Sequence, residues 1–202
     1  MGVFNFTRGG FTGSVGVHTG RNWKGKNVLS PKTAPAYSRT EKQAEVRDGF
    51  GRFTKFVALF APEIKLMTSW ATSKMSVRNA IIQANKANIT DPAFGFESLI
   101  INKGGRQKPI NFAATSAAGI ITATWSEPTS TVYTSNAKLV IVAVDEQDAI
   151  VEVAEVSPNA KTWTGAINFG TNSDVYVYGY YIDKVGSARV GSLSVGVKVA
   201  GA

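Results

Sequence analysis

The chain has 202 residues, no cysteine and a single histidine; 44% of its residues are hydrophobic, 18% are charged, and its formal net charge is +8. That apolar content supports a packed core and argues against global disorder. The lack of cysteine excludes disulfides, thiol catalysis and cysteine zinc sites, and one histidine, His18, supplies neither a triad nor a multi-histidine metal site.

The length suits one large or two small domains. The charge is unevenly spread: residues 1–60 carry +7, residues 61–110 carry +4 and residues 111–202 carry −3. A basic front with a mildly acidic back fits a nucleic-acid contact, and it equally fits self-association of one copy's front with the next copy's body. No apolar run approaches the eighteen or so residues of a membrane span, so no membrane partner is expected. The start, Met1 to Phe6, lacks a basic region followed by an apolar stretch, and Phe6 stands where myristoylation wants Ser or Thr.

In chain order, residues 1–37 read as an extended, basic, glycine-rich arm. Seven glycines fall within residues 1–36, and Phe4, Phe6, Phe11 and Trp23 are interleaved as anchors. The Gly-x-x-Gly spacings make no phosphate loop, because no Gly-Lys-Ser/Thr follows. A free arm of this composition is expected to be disordered unless something orders it, either its own body or a neighbouring copy.

Residues 38–92 read as a helical segment. Capping-box spacings occur at Ser38–Glu41 and at Thr40–Gln43. Val46, Phe50, Phe53, Val57 and Phe60 then recur in a 4-3-4-3 rhythm, one face of a helix from about Thr40 to Ala61. Gly49 and Gly51 weaken it and Pro62 ends it. A second helix is expected over Glu63 to Asn88, either continuous or interrupted near Thr72-Ser73, with Trp70, Val77, Ile81 and Ala84 inward.

Residues 93–202 read as a β-sandwich. Ser98 to Asn102 is expected to be a strand entering the basic loop Lys103 to Pro109. That loop is either a phosphate contact or a solvated turn. Strands follow at Ile120–Trp125, Leu139–Val144, Ile150–Val156, Val175–Ile182 and Leu193–Val199, with weaker ones at Val132–Tyr133 and Trp163–Phe169. Leu139 to Val144 has no polar face, so it is a central strand or one covered by another subunit. Tyr176, Tyr178 and Tyr180 share one face, either as a stacking platform for sugars or bases or as an internal aromatic ladder.

The search for chemistry finds no catalytic constellation. Asp145, Glu146 and Asp148 lack the glycine and regular spacing of a calcium loop and read as a turn. Glu152 and Glu155 sit three apart on one strand and point to opposite faces. No enzyme activity and no cofactor is expected.

The run Gly119 to Trp125, and the later run Val175 to Ser192, resemble the B strand and the F–G hairpin of a fibronectin type III module. Trp23-Lys24-Gly25, the proline-rich link, Ser38 to Arg47 before Phe53, Asn79-Ala80 to Gly104 and the tyrosine-rich strand together resemble an uncharacterised domain-of-unknown-function family. That family is seen mainly in Bacteroidetes and in phages infecting them. The resemblance implies no activity, cofactor or catalytic residue.

The expected architecture is mainly β with a helical segment: an arm, two helices, then an immunoglobulin- or fibronectin III-like sandwich. The expected role is a non-enzymatic structural protein that self-assembles, a phage virion component such as a capsid, tail or decoration building block. Its partners would be itself and other virion proteins, with the arm residues Phe4, Phe6, Phe11 and Trp23 as anchors. One alternative is a nucleic-acid binder using Arg8, Arg21, Lys24, Lys26, Lys103, Arg106 and Lys108, in the bacterial cytoplasm. Another is a cell-surface adhesion module that binds glycans or host protein.

Overall fold

The computed structural model describes residues 13–23, 26–32, 40–72, 75–87, 89, 91, 94–126, 133–165, 174–185 and 188–200. The chain divides into two compact units, Met1–Ala44 and Glu45–Ala202.

The front unit carries a three-stranded antiparallel sheet: β1 (Gly13–Val15), β2 (His18–Trp23) and β3 (Lys26–Pro31), in that order. Val15 pairs with His18 across a two-residue turn. In it Gly16 has φ +56°, a left-handed conformation that costs glycine no Cβ clash. Trp23 pairs with Lys26, again with two residues between the partners, the spacing of a tight hairpin. The arm expected over residues 1–37 is therefore not a single extended strand over 13–31. Its backbone is extended, but it folds back twice and satisfies its own ladder. Val17 and Leu29 are 70% and 56% exposed.

Helix α1 (Glu41–Phe60) begins with a reciprocal capping box. The Thr40 backbone N–H donates to Gln43 Oε1 at 3.3 Å, and the Gln43 N–H donates to Thr40 Oγ1 at 3.3 Å. The predicted stripe is only partly covered. Phe53, Phe56, Val57 and Phe60 are buried, whereas Val46 and Phe50 remain exposed.

The second helical stretch is divided at Thr72, where an interruption is among the expectations, and its first part is not α-helical. Residues 61–68 are turns, Ser69–Thr72 is one turn of 3-10 helix, and α2 covers only Val77–Asn85. Two local causes stand out. Pro62 cannot continue the α1 hydrogen-bond ladder. Ser76 starts a new helix by accepting from the Asn79 N–H at 3.3 Å.

The body is β-sandwich-like. Among the described residues its strands are β4 (Ile110–Ala117), β5 (Ile120–Ser126), β6 (Lys138–Asp145), β7 (Ile150–Val156), β8 (Thr162–Thr164), β9 (Asp174–Val185), β10 (Ala188–Gly191) and β11 (Val195–Ala200). One sheet has the order β4-β5-β8. The other runs β10-β9-β6-β7, with β11 also pairing β9. Every pairing in both is antiparallel. The long β9 thus pairs β11 along its first half and β10 along its second.

The larger sheet separates two apolar cores. Val140, Val142, Val144, Tyr176, Tyr178 and Tyr180 pack with Phe53, Phe56, Phe60 and Ile81 of the helices. Leu139, Ile141, Ala143, Val175, Val177 and Tyr181 pack with Ile121, Ala123 and Trp125 of β5. Period-two alternation sends each strand's side chains to opposite cores. Leu139 to Val144 is therefore a central strand buried on both faces. At roughly 1.5–3 kcal/mol for each large apolar side chain removed from water, these two cores are the chief stabilising term.

Two strand expectations change. Residues 99–105 form no strand, although the segment is extended at Leu99. The strand β4 had no strong signal, because Asn111, Ala113, Ala114 and Ser116 dilute its apolar residues. Of the weaker expectations, Thr162–Thr164 is a strand and Tyr133 lies in a bend, while Val132 and residues 166–173 lie outside the described residues.

Candidate interaction surface

The predicted contact residues do not converge on one site. Phe4, Phe6, Arg8, Phe11 and Lys24 lie outside the described residues. Trp23 and Lys26 are paired positions at the end of the β2–β3 hairpin. Arg21 is exposed on β2, and Lys103 and Lys108 are exposed in the body loop.

Arg106, at the centre of that loop, is paired within the body. Its guanidinium lies 3.9 Å from the carboxylate of buried Asp183 and 6.0 Å from the centre of the Tyr133 ring. Asp183 also accepts from the Thr134 N–H at 3.1 Å and from the Thr134 hydroxyl at 2.5 Å. A cation spent on a buried carboxylate is poorly placed to neutralise a phosphate. His18 is exposed. Asp145 closes the β6–β7 turn, its Oδ1 accepting from the N–H groups of Gln147 and Asp148 at 2.9 and 3.1 Å.

Behind the loop, side chains replace a missing ladder. Asn85 Nδ2 donates to the carbonyls of Ile81 and Ile100 at 2.8 and 2.9 Å, and its Oδ1 accepts from the Ile100 N–H at 2.9 Å. The Ile101 N–H donates to Ser194 Oγ at 3.0 Å. Asn102 accepts from the Ser69 N–H at 2.9 Å and donates to the Ser192 carbonyl at 2.7 Å. Residues 99–106 are fixed by this buried polar lattice, and the backbone of Gly104 passes so close to Gly191 that a Cβ there would stand 1.7 Å from the Gly191 oxygen.

The tyrosine face is internal. Tyr178 and Tyr180 are fully buried, and Tyr176 meets Phe56 and Phe96 edge-on at 5.4 and 5.5 Å. Phe56 stacks on Phe96 at 4.1 Å, and the Tyr178 hydroxyl donates to the Phe96 carbonyl at 2.7 Å. These rings form an aromatic ladder under the helices, with no face left for sugars or bases. Burial raises the pKa of Tyr178 well above the ordinary tyrosine value and pushes that of Tyr181 up to about 12.

The concave surface beside α1 was not foreseen. A groove of about 490 Å³ runs between Glu45, Asp48 and Arg52 of the helix and Ile89, Asp91 and Phe94 of the connection after α2. Phe53 and Phe96 contribute to its wall. The Arg52 guanidinium lies 4.7 Å over the Phe96 ring. Gly49 explains the close approach of the far wall, since a Cβ there would stand 3.0 Å from the Ile89 oxygen. The sequence signal was available: two carboxylates and a glycine at positions 45, 48 and 49 share one helix flank.

A second cleft, of about 520 Å³, lies between the end of α1 and the start of α2, with Leu66, Trp70 and Met75 on its walls and Lys65 and Arg78 among its lining residues. Among the described residues, no group of three or more His, Asp or Glu is arranged to hold a metal. No helix there is long and apolar enough to cross a membrane.

No curated protein matches the chain. A family model does match, over residues 10–196, from the front sheet to β11. The chain belongs to the family of unknown function DUF6266.

Proposed function

We propose that this chain is a non-enzymatic structural protein that assembles with copies of itself, as a component of a phage virion. The observation that carries this reading is the front sheet. Three short strands need an apolar face packed against something to be stable in water. Two large apolar side chains of this unit, Val17 and Leu29, are 70% and 56% exposed. A sister copy supplies the missing cover. The strand order β4-β5-β8 against β10-β9-β6-β7 supports a fibronectin III-like body, a passive framework that holds such contacts in place. The resemblance to a family of Bacteroidetes and their phages supports the virion as its location.

Light scattering after size exclusion, over a wide range of protein concentration, tests the reading. Mass is expected to rise above one chain as concentration rises, with regular particles or oligomers in electron micrographs. A fixed single-chain mass at every concentration overturns it. The second reading, nucleic-acid binding, draws on residues 1–40, which contain six Lys/Arg and no Asp/Glu. It predicts retention of DNA or RNA at low salt and steep loss as salt rises.

A further inference from the structure

We infer that the groove beside α1 receives the basic front sheet of a second copy, so that the chains join head to tail. This rests on the self-assembly reading above and names its contact. The groove is apolar along Phe53, Ile89 and Phe94, and its rim carries the exposed carboxylates of Glu45 and Asp48. In a chain of net charge +8 this is a locally acidic hollow. Its one lining cation, Arg52, leans over the Phe96 ring.

The front sheet is the complementary object. Arg21 is exposed on β2 and Lys32 directly after β3, Val17 is exposed beside Lys32, whose N–H donates to the Val17 carbonyl at 2.6 Å, and residues 1–40 contain no acid. The exposed Val17 meets an apolar floor, and the cations meet a carboxylate rim. Opposite potentials of this kind set partner choice and speed encounter, and salt weakens them. The two surfaces differ, so the contact is heterologous. Each added copy presents a fresh groove or a fresh front, and the assembly closes as a ring or grows as a filament instead of stopping at two.

Charge reversal tests this on the full-length chain. One variant carries Glu45→Lys with Asp48→Lys, and the other carries Arg21→Glu with Lys32→Glu. Each alone is expected to need at least about tenfold more protein to assemble, because like charges now face each other. Mixed in equal amounts, the two are expected to assemble again, each variant's altered surface meeting its opposite on the other. Circular dichroism establishes that both are folded, and the milder Glu45→Gln with Asp48→Asn is expected to weaken assembly less than the reversal. Either reversed variant assembling like the wild type, or a mixture of folded variants that stays apart, overturns the groove contact and leaves the self-assembly reading standing. A wild-type chain that never associates overturns the self-assembly reading itself.

Discussion

The Asn85 side chain offers the sharpest test of how the body is held. It is fully buried and makes three hydrogen bonds of 2.8–2.9 Å, two of them to the backbone N–H and carbonyl of Ile100. Replacement by Leu keeps similar bulk and removes all three bonds. Each buried polar group left without a partner costs about 1–3 kcal/mol. The Ile81 carbonyl, inside α2, is the least affected, so the loss falls mainly on the two Ile100 groups. Asn85→Leu is therefore expected to destabilise the body by roughly 2–6 kcal/mol. Asn85→Asp should be at least as damaging, since a carboxylate would face two carbonyl oxygens. Urea unfolding followed by circular dichroism reads this out, at one fixed protein concentration so that association does not shift the midpoint. If Asn85→Leu lies within about 0.5 kcal/mol of the wild type, the side-chain lattice does not hold residues 99–102 and the reasoning fails.

Two neighbouring glycines should behave in opposite ways. Gly104→Ala places a Cβ 1.7 Å from the Gly191 oxygen, a backbone atom, whereas nothing lies within 4 Å of a Cβ at Gly105. Thermal unfolding should show a loss of several kcal/mol for the first, in the range of core overpacking, and little change for the second. Alkaline unfolding provides another check. Folding raises the Tyr181 pKa from 10.0 to about 12, so the protonated hydroxyl is favoured in the folded state. Its contribution is whole below pH 10, falls as pH rises from 10 towards 12, and is gone above. The tyrosinate absorbance of Tyr181, read as the difference between the wild type and Tyr181→Phe, should therefore appear together with loss of structure, and that difference forming at pH 10 in a fully folded chain would contradict the burial.

Much of this architecture was legible because it rests on local patterns. The β-branched runs of β6 and β7 and the aromatic β9 announced themselves as strands. The α1 limits followed from Thr40, Gln43 and Pro62. Ser98 to Asn102 looked like a strand for a sound reason: the backbone is extended in part, but its ladder partners are side chains far away in sequence, Asn85 and Ser194. No short window holds that information. The front meander was hidden by its glycines, which read as flexibility although Gly16 serves as a turn. Of the candidate contacts, Arg106 has a partner that no short window shows, because Asp183 lies 77 positions later in the chain. The acidic groove requires α1 and residues 89–96 to be neighbours, which composition does not reveal.

The central strand has a consequence for how the chain finds its alignment. In a half-buried strand, sliding by one position exposes apolar groups and hides polar ones, so polarity alone punishes the error. Residues Leu139 to Val144 of β6 offer no such penalty, because all six are apolar and buried. Correct alignment must come from size and from the strand's end. Asp145 is anchored by the tight turn that follows it. Further on, Gly179 leaves a hollow for the Phe112 ring, whose nearest atom would lie 2.4 Å from any Cβ placed there. A misaligned chain would find that ring without its socket and that carboxylate dragged into a greasy interior.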